Sequence, residues 1–190
     1  PAMKALVNTE EIRIDGFLCP GHVSVAIGAE PYRFLAEDKG KPCVVAGFEP
    51  VDVLQGLLML LRQYNEGRST VENQYSRAVQ MSGNQRAVAV MERVFQPRDD
   101  IWRGLGTIPL SGLGLRKEFE EFDADPLVGE IGDFQETETG CICGDILRGV
   151  ALPTECSLFA QVCTPQRPRG ACMVSQEGTC ATFYRFRNKL

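Results

Sequence analysis

Of the eight cysteines in this 190-residue chain, six fall between positions 141 and 180. Cys141, Cys156, Cys163 and Cys180 make the frame C-x14-C-x6-C-x16-C, and Cys143 and Cys172 lie inside it. Thiolates are soft ligands and strong nucleophiles, so such a set can hold a metal or cluster, cycle between dithiol and disulfide, or cross-link the chain. Structural zinc sites usually place ligands on close C-x2-C or C-x4-C knuckles. Here the gaps are one, twelve, six, eight and seven residues, a pattern that disfavours zinc. A cubane iron-sulfur cluster takes four thiolates across wide gaps, provided that loops wrap it and backbone N–H groups point at its sulfurs. Glycines at 144, 149, 170 and 178 and prolines at 153, 165 and 168 permit that wrapping.

Cys141 and Cys143 are one residue apart. In extended chain, residues i and i+2 face the same way with about 6.6 Å between Cα atoms, so one can bind a cluster while the other stands beside it. If Cys143 pairs with Cys172, a dithiol/disulfide couple lies next to a one-electron centre, a workable arrangement for moving electrons into or out of a disulfide. Zinc, three structural disulfides and six reduced thiols stay open as alternatives. A zinc or disulfide module would make the chain a protein-binding α/β domain; a thiol pair alone would make it a protein thiol oxidoreductase.

The loop Cys19-Pro20-Gly21-His22 is a second candidate site. Loops at the carboxyl ends of parallel strands are where open α/β sheets bind ligands, and a helix N-terminus there lowers a thiol's pKa. His22 is the only histidine. Cys43 sits in an apolar run and is expected to be buried. Other patterns carry less. The glycines at 104, 106, 112 and 114 do not make a dinucleotide fingerprint, which needs a third glycine and a following helix. Glu118, Glu120, Glu121, Asp123 and Asp125 read as a solvated face. Glu49 follows one expected strand and Glu72 sits in another, where they could line a cleft, and they are assigned no chemistry.

The elements that position these residues alternate between short apolar runs and helical periods, the pattern of a parallel α/β sheet flanked by helices. Residues 12–18 are an expected strand, followed by helix from Val23 that restarts at Pro31. Residues 43–46 read as a buried strand and 51–64 as a helix whose core stripe is Val53, Leu54, Leu57, Leu58 and Leu61. Asn65-Glu66-Gly67 stops it. A strand over 69–79 and a helix over 84–95 follow, the latter with an apolar stripe of Ala87, Val88, Met91 and Val94 or Phe95, closed by Pro97. Residues 107–115 are an edge strand or a loop. After about Asp123 the chain turns acidic and loop-like, and the cysteine segment lacks enough periodic apolar surface to fold without cross-links. The expected division is a Rossmann-like α/β domain over 1–134 and a small irregular cysteine-rich iron-sulfur module over 135–190.

Composition narrows the function classes. Hydrophobic residues are 44% and charged residues 24%, enough for a real core. A net charge of −5 with no basic stripe argues against nucleic acid as a partner. The longest strongly apolar stretch, GLLMLL at 56–61, is far short of the roughly 20 residues that cross a bilayer. The first ten residues have no apolar core of a secretory signal and no Met at position 1, so a truncated or processed chain is the expectation. The expected compartment is the cytoplasm, where dense cysteine reads as metal binding or thiol chemistry.

GFLCPGHVS at 16–24, PCVVAGFEPVDVL at 42–54, ENQYSRAV at 72–79 and the cysteine segment through EGTC together resemble the HypD family of [NiFe]-hydrogenase maturation proteins. The resemblance spans nearly the whole chain and is to the family's C-terminal half; the N-terminal half, with its own iron-holding cysteine motif, has no counterpart here. It implies an accessory scaffold rather than a free-standing enzyme. On that scaffold, with HypC, iron receives carbon monoxide and two cyanide ligands, the cyanide arriving through HypE, before delivery to the hydrogenase large subunit. It implies [4Fe-4S] ligation by Cys141, Cys156, Cys163 and Cys180, with Cys143 and Cys172 as the adjacent redox pair. It also places Cys19 and His22 on a loop facing the iron-assembly cleft. Lacking the other half, this chain is not expected to complete the assembly alone.

Overall fold

The computed structural model describes residues 1–102, 105–128 and 140–187. Helix α1 (Ala2–Val7) precedes β1 (Phe17–Pro20), α2 (Gly21–Ile27) and α3 (Arg33–Glu37), the last preceded by a 3-10 turn at Glu30–Tyr32 that carries Pro31 at its start. Strand β2 (Cys43–Ala46) leads into α4 (Pro50–Asn65), β3 (Val71–Asn73) and α5 (Gln85–Val94). A ribbon of β4 (Phe95–Trp102) and β5 (Gly106–Leu115) follows. The helices α6 (Asp125–Val128), α7 (Cys143–Leu147), α8 (Ala171–Val174) and α9 (Thr179–Phe186) complete the chain. The chain divides into two compact units. One holds Ile14–Gln96 with Leu115–Glu118; the other holds Pro1–Arg13, Pro97–Gly114 and Phe119–Leu190. The expected boundary at 134–135 and most of the acidic stretch 126–140 lie outside the described residues.

The first unit is α/β, with a parallel sheet in the order β1-β2-β3. Phe17 aligns with Cys43 and Cys19 with Val45, while Cys43 aligns with Val71. Side chains alternate across a strand, so Leu18, Val44 and Ala46 share one face, and Cys19, Cys43 and Val45 the other. Helix α4 covers the first face through Gly56, where an added Cβ would stand 2.7 Å from Leu18 and 3.0 Å from the Cβ of Ala46. Leu35 and Tyr32 join the buried residues of this unit, and Tyr32 lies within electrostatic reach of Cys19 and Cys43.

Several elements differ from the sequence reading. Strands β1 and β3 are shorter than expected, and α2 begins at Gly21, so Gly21 and His22 belong to its first turn. Residues 95–102 continue as strand through Pro97, and 106–115 pairs with that strand rather than joining the parallel sheet. The core face of α4 also differs. Its buried residues are Asp52, Gly56 and Gln63, while Leu54, Leu57, Leu58 and Leu61 are exposed. The cause is the anchoring of the polar residues: Gln63 Oε1 accepts from the Thr70 N–H (2.8 Å) and hydroxyl (3.1 Å), and Asp52 is held by Arg77 and Gln74. Helix α5 keeps its expected stripe, with Ala87, Val88, Met91 and Val94 half-buried, and Asn84 caps it by accepting from the N–H groups of Arg86 and Ala87. No helix among the described residues is long and apolar enough to cross a membrane.

Candidate functional site

In the second unit the six cysteines of 141–180 come together. Cys143, Cys156, Cys163, Cys172 and Cys180 are buried in one cluster with Ile146, Met173 and Ala181, and Cys141 packs against it half-buried. Each is placed by a short element. Cys143 opens α7, Cys172 lies in α8 and Cys180 in the first turn of α9. The loop from Cys156 to Cys163 folds on itself, with the Phe159 N–H donating to the Cys156 carbonyl (3.0 Å) and the Ala160 N–H to the Cys163 carbonyl (3.1 Å). Phe159 meets Phe183 and Tyr184 edge-on at 6.0 and 6.1 Å between centroids, which ties this loop to α9.

Cys141 and Cys180 are each in electrostatic reach of Cys143, Cys156 and Cys163. Cys143 shares a side-chain hydrogen bond with Cys172, whose backbone N–H also donates to Cys143 Sγ at 3.4 Å. Cys172 Sγ in turn lies 3.1 Å from Cys180 Sγ. The Arg169 N–H donates to Cys163 Sγ at 3.3 Å. At Gly170 an added Cβ would stand 2.6 Å from Cys141 Sγ and 3.1 Å from Cys143 Cβ, so only glycine leaves room for both sulfurs there. All eight cysteines carry free thiols. Burial raises the thiol pKa of Cys141 and Cys180, and the hydrogen bond to Cys172, followed by burial, raises that of Cys143. These three groups are therefore neutral near pH 7, and a cation that binds them must displace their protons. Among the described residues no three or more His, Cys, Asp or Glu side chains converge as one metal ion requires.

The other candidate site lies at the carboxyl edge of the parallel sheet. His22 stacks on Phe48, with ring centroids 4.9 Å apart and planes tilted 43°. Phe48 is carried by the loop after β2, and that loop is pinned from β3: the Gly47 N–H donates to Gln74 Oε1 (3.3 Å), while Gln74 Nε2 donates to Asp52 Oδ1 (2.9 Å). Arg77 grips both oxygens of Asp52 at 2.8 and 2.6 Å and lies over the Tyr75 ring at 4.4 Å. Hydrogen bonds from Arg77 first, and from Gln74 second, hold the Asp52 carboxyl at about 2. Sequence reasoning missed this network. Its one visible sign was a lone Asp in the first turn of a Leu-rich helix.

Cys19 departs from its expected chemistry. It is 1% exposed, beneath the loop, and shares a hydrogen bond with the fully buried Cys43. That bond, then burial, pushes its thiol up, whereas proximity to a helix N-terminus led to the opposite expectation. Cys43 is buried as expected. Glu49 stands 3.5 Å from Arg77, and Glu72 pairs with Arg68.

Comparison with known proteins gives consistent matches. The HypD family model, described as "Hydrogenase formation hypA family", matches residues 1–187. Hydrogenase maturation factor HypD2 of Bradyrhizobium diazoefficiens is 49% identical over 198 residues, covering 99% of this chain and 52% of the relative. Hydrogenase maturation factors HypD of Rhizobium leguminosarum and Cupriavidus necator are 50% and 47% identical, over 94% and 97% of this chain and 48% and 51% of their own length. The chain thus spans about half the length of these relatives. It belongs to the HypD family of hydrogenase maturation factors.

Proposed function

We propose that this chain is an iron-sulfur, thiol-redox scaffold that takes part in assembling the Fe(CN)2CO group of [NiFe]-hydrogenase, in the company of HypC, HypE and, through HypC, the hydrogenase large subunit. The observation that carries the reading is the gathering of six free thiols into one buried cluster. Cys141, Cys156, Cys163 and Cys180 would hold a [4Fe-4S] cluster. Three features support the fit. The donors are all thiols, the set that iron-sulfur clusters take. Arg169 aims a backbone N–H at a sulfur of the quartet. Gly170 keeps side-chain atoms out of the space beside Cys141. A cubane takes one thiolate per iron, so its sulfurs surround a volume rather than converge on a point, which agrees with the absence of a tight single-ion constellation among the described residues.

When bound, the cluster supplies one-electron chemistry. The chain's own residues do the rest. Cys143 and Cys172, hydrogen-bonded to each other, form the dithiol that gives out or takes up an electron pair as it closes or opens a disulfide. Burial by Ile146 and Met173 keeps bulk water and stray thiols from that couple. At the carboxyl edge of the sheet His22 presents an exposed imidazole, and its stacking on Phe48 orients the ring toward substrate iron and its ligands. Cys19 supports this loop from below, paired with Cys43. Purification under argon followed by iron, sulfide and zinc analysis tests the reading. About four irons with matching sulfide per chain are expected. Stoichiometric zinc without sulfide would overturn it.

A further inference from the structure

Two thiols are expected of a redox couple, yet Cys172 has two sulfur neighbours. On one side its N–H meets Cys143 Sγ at 3.4 Å, and the two side chains share a hydrogen bond. On the other its own Sγ lies 3.1 Å from Cys180 Sγ. The second approach is written into the chain. Gly178 caps α9 against the backbone of Cys172, where an added Cβ would stand 2.3 Å from the Cys172 carbonyl oxygen and 2.8 Å from its carbon. Only glycine lets α8 and α9 close to this distance. The three sulfurs are buried together, each 4–5% exposed, so they exchange among themselves more readily than with bulky outside thiols.

We propose that the exchange site has three sulfurs, with Cys172 as the shared centre that forms a disulfide with Cys143 or with Cys180. The inference rests on the thiol-redox reading above and adds Cys180 to its reacting atoms. A low-molecular-weight disulfide oxidises the reduced site: Cys172 and Cys180 lose two protons and two electrons as their S–S bond forms, and the oxidant leaves as two thiols. Exchange then needs no further oxidant. The Cys143 thiol gives its proton to solvent and attacks Cys172 Sγ. The Cys143–Cys172 bond forms, the Cys172–Cys180 bond breaks, and the electron pair departs on Cys180 Sγ. Because Cys180 also belongs to the proposed ligand quartet, this exchange sets whether the fourth ligand is free. The couple and the ligand set are therefore linked through one sulfur.

Disulfide mapping tests the proposal on the whole chain. The reduced, metal-free protein is treated with oxidised glutathione, quenched with acid and an alkylating agent, and digested with trypsin. Cys172 and Cys180 fall on one tryptic peptide, residues 170–185, and Cys143 falls on another, so the two disulfides have different mass signatures. Both are expected in the parent chain. Cys143→Ser should leave only the internal link within 170–185, and Cys180→Ser only the link between peptides. A Cys143→Ser chain whose Cys172 and Cys180 are both glutathionylated or alkylated, without the internal link, overturns the proposal. So does a parent chain that never shows the internal link, a result that needs no variant to fold. Loading with iron and sulfide before oxidation should abolish the internal link and spare the other. An internal link that persists in a loaded chain refutes Cys180 as a ligand while leaving the three-sulfur exchange intact.

Discussion

Replacing Gly170 by Ala isolates the packing of the sulfur cluster. The backbone at 170 has φ −94° and ψ 155°, extended geometry open to any residue, so the substitution introduces no backbone strain. Its whole effect comes from one methyl group. That carbon would stand 2.6 Å from Cys141 Sγ, 3.1 Å from Cys143 Cβ and 3.5 Å from Cys143 Sγ. Non-bonded carbons sit best at about 3.5–4.0 Å and sulfur is larger, so the first contact is short by about 1 Å. Half-buried Cys141 must yield, while Cys143, buried at the start of α7, has less room. Overpacking of this kind costs about 1–3 kcal/mol. With a urea dependence of about 2 kcal/mol/M, the midpoint should fall by about 0.5–1.5 M. Trp102, the only tryptophan, belongs to the same compact unit and reports the transition by its fluorescence. Iron and sulfide uptake should fall in parallel, since the displaced sulfur is one of the four proposed ligands. A variant that unfolds at the parental midpoint and loads iron as the parent does would refute the close approach at 170.

Other substitutions test the remaining assignments. The Asp52 carboxyl is depressed from 3.8 to about 2, so its contribution to stability is present above about pH 4 and is lost as pH falls through 2. Urea midpoints measured down the acid range should show that loss in the parent chain; Asp52→Asn should lack it and be less stable near neutral pH, and an acid profile unchanged by the substitution would contradict the assignment. Exposed Leu54 and Leu58 on α4 should accept Gln with a change within about 0.5 kcal/mol. Fully buried Leu35→Ala should cost about 2–5 kcal/mol, and the reverse ranking would restore the sequence-derived core face. Phe48→Ala should shift the proton resonances of His22, the only histidine, downfield as the neighbouring ring current is lost. Unmoved resonances would mean that the two rings do not stack in solution.

What could be read from the sequence, and what could not, follows the range of the interactions involved. Strand 43–46 was legible because a continuous apolar run between turn residues has few other homes, and the limits of α4 because Pro50 and Asn65-Glu66-Gly67 punctuate locally. The inward face of α4 was not. Leucines surround most of that helix, so periodicity picks the densest stripe, whereas its orientation is set by Asp52 and Gln63, whose partners Thr70, Gln74 and Arg77 flank β3. The same logic governs Cys19. A helix start two residues away argues for a lowered thiol pKa, but strand register brings Cys43 to the same face, and a buried neighbouring thiol outweighs the ends of a seven-residue helix. In the cysteine segment, spacing suggests a quartet and a pair as a proposal only, and it says nothing of Gly170 and Gly178, whose missing side chains let sulfurs and backbone distant in sequence approach. Those glycines look like ordinary loop residues in one dimension. In three they decide which sulfur Cys172 can reach, and for that reason the chemistry of the segment depends on more residues than its six thiols.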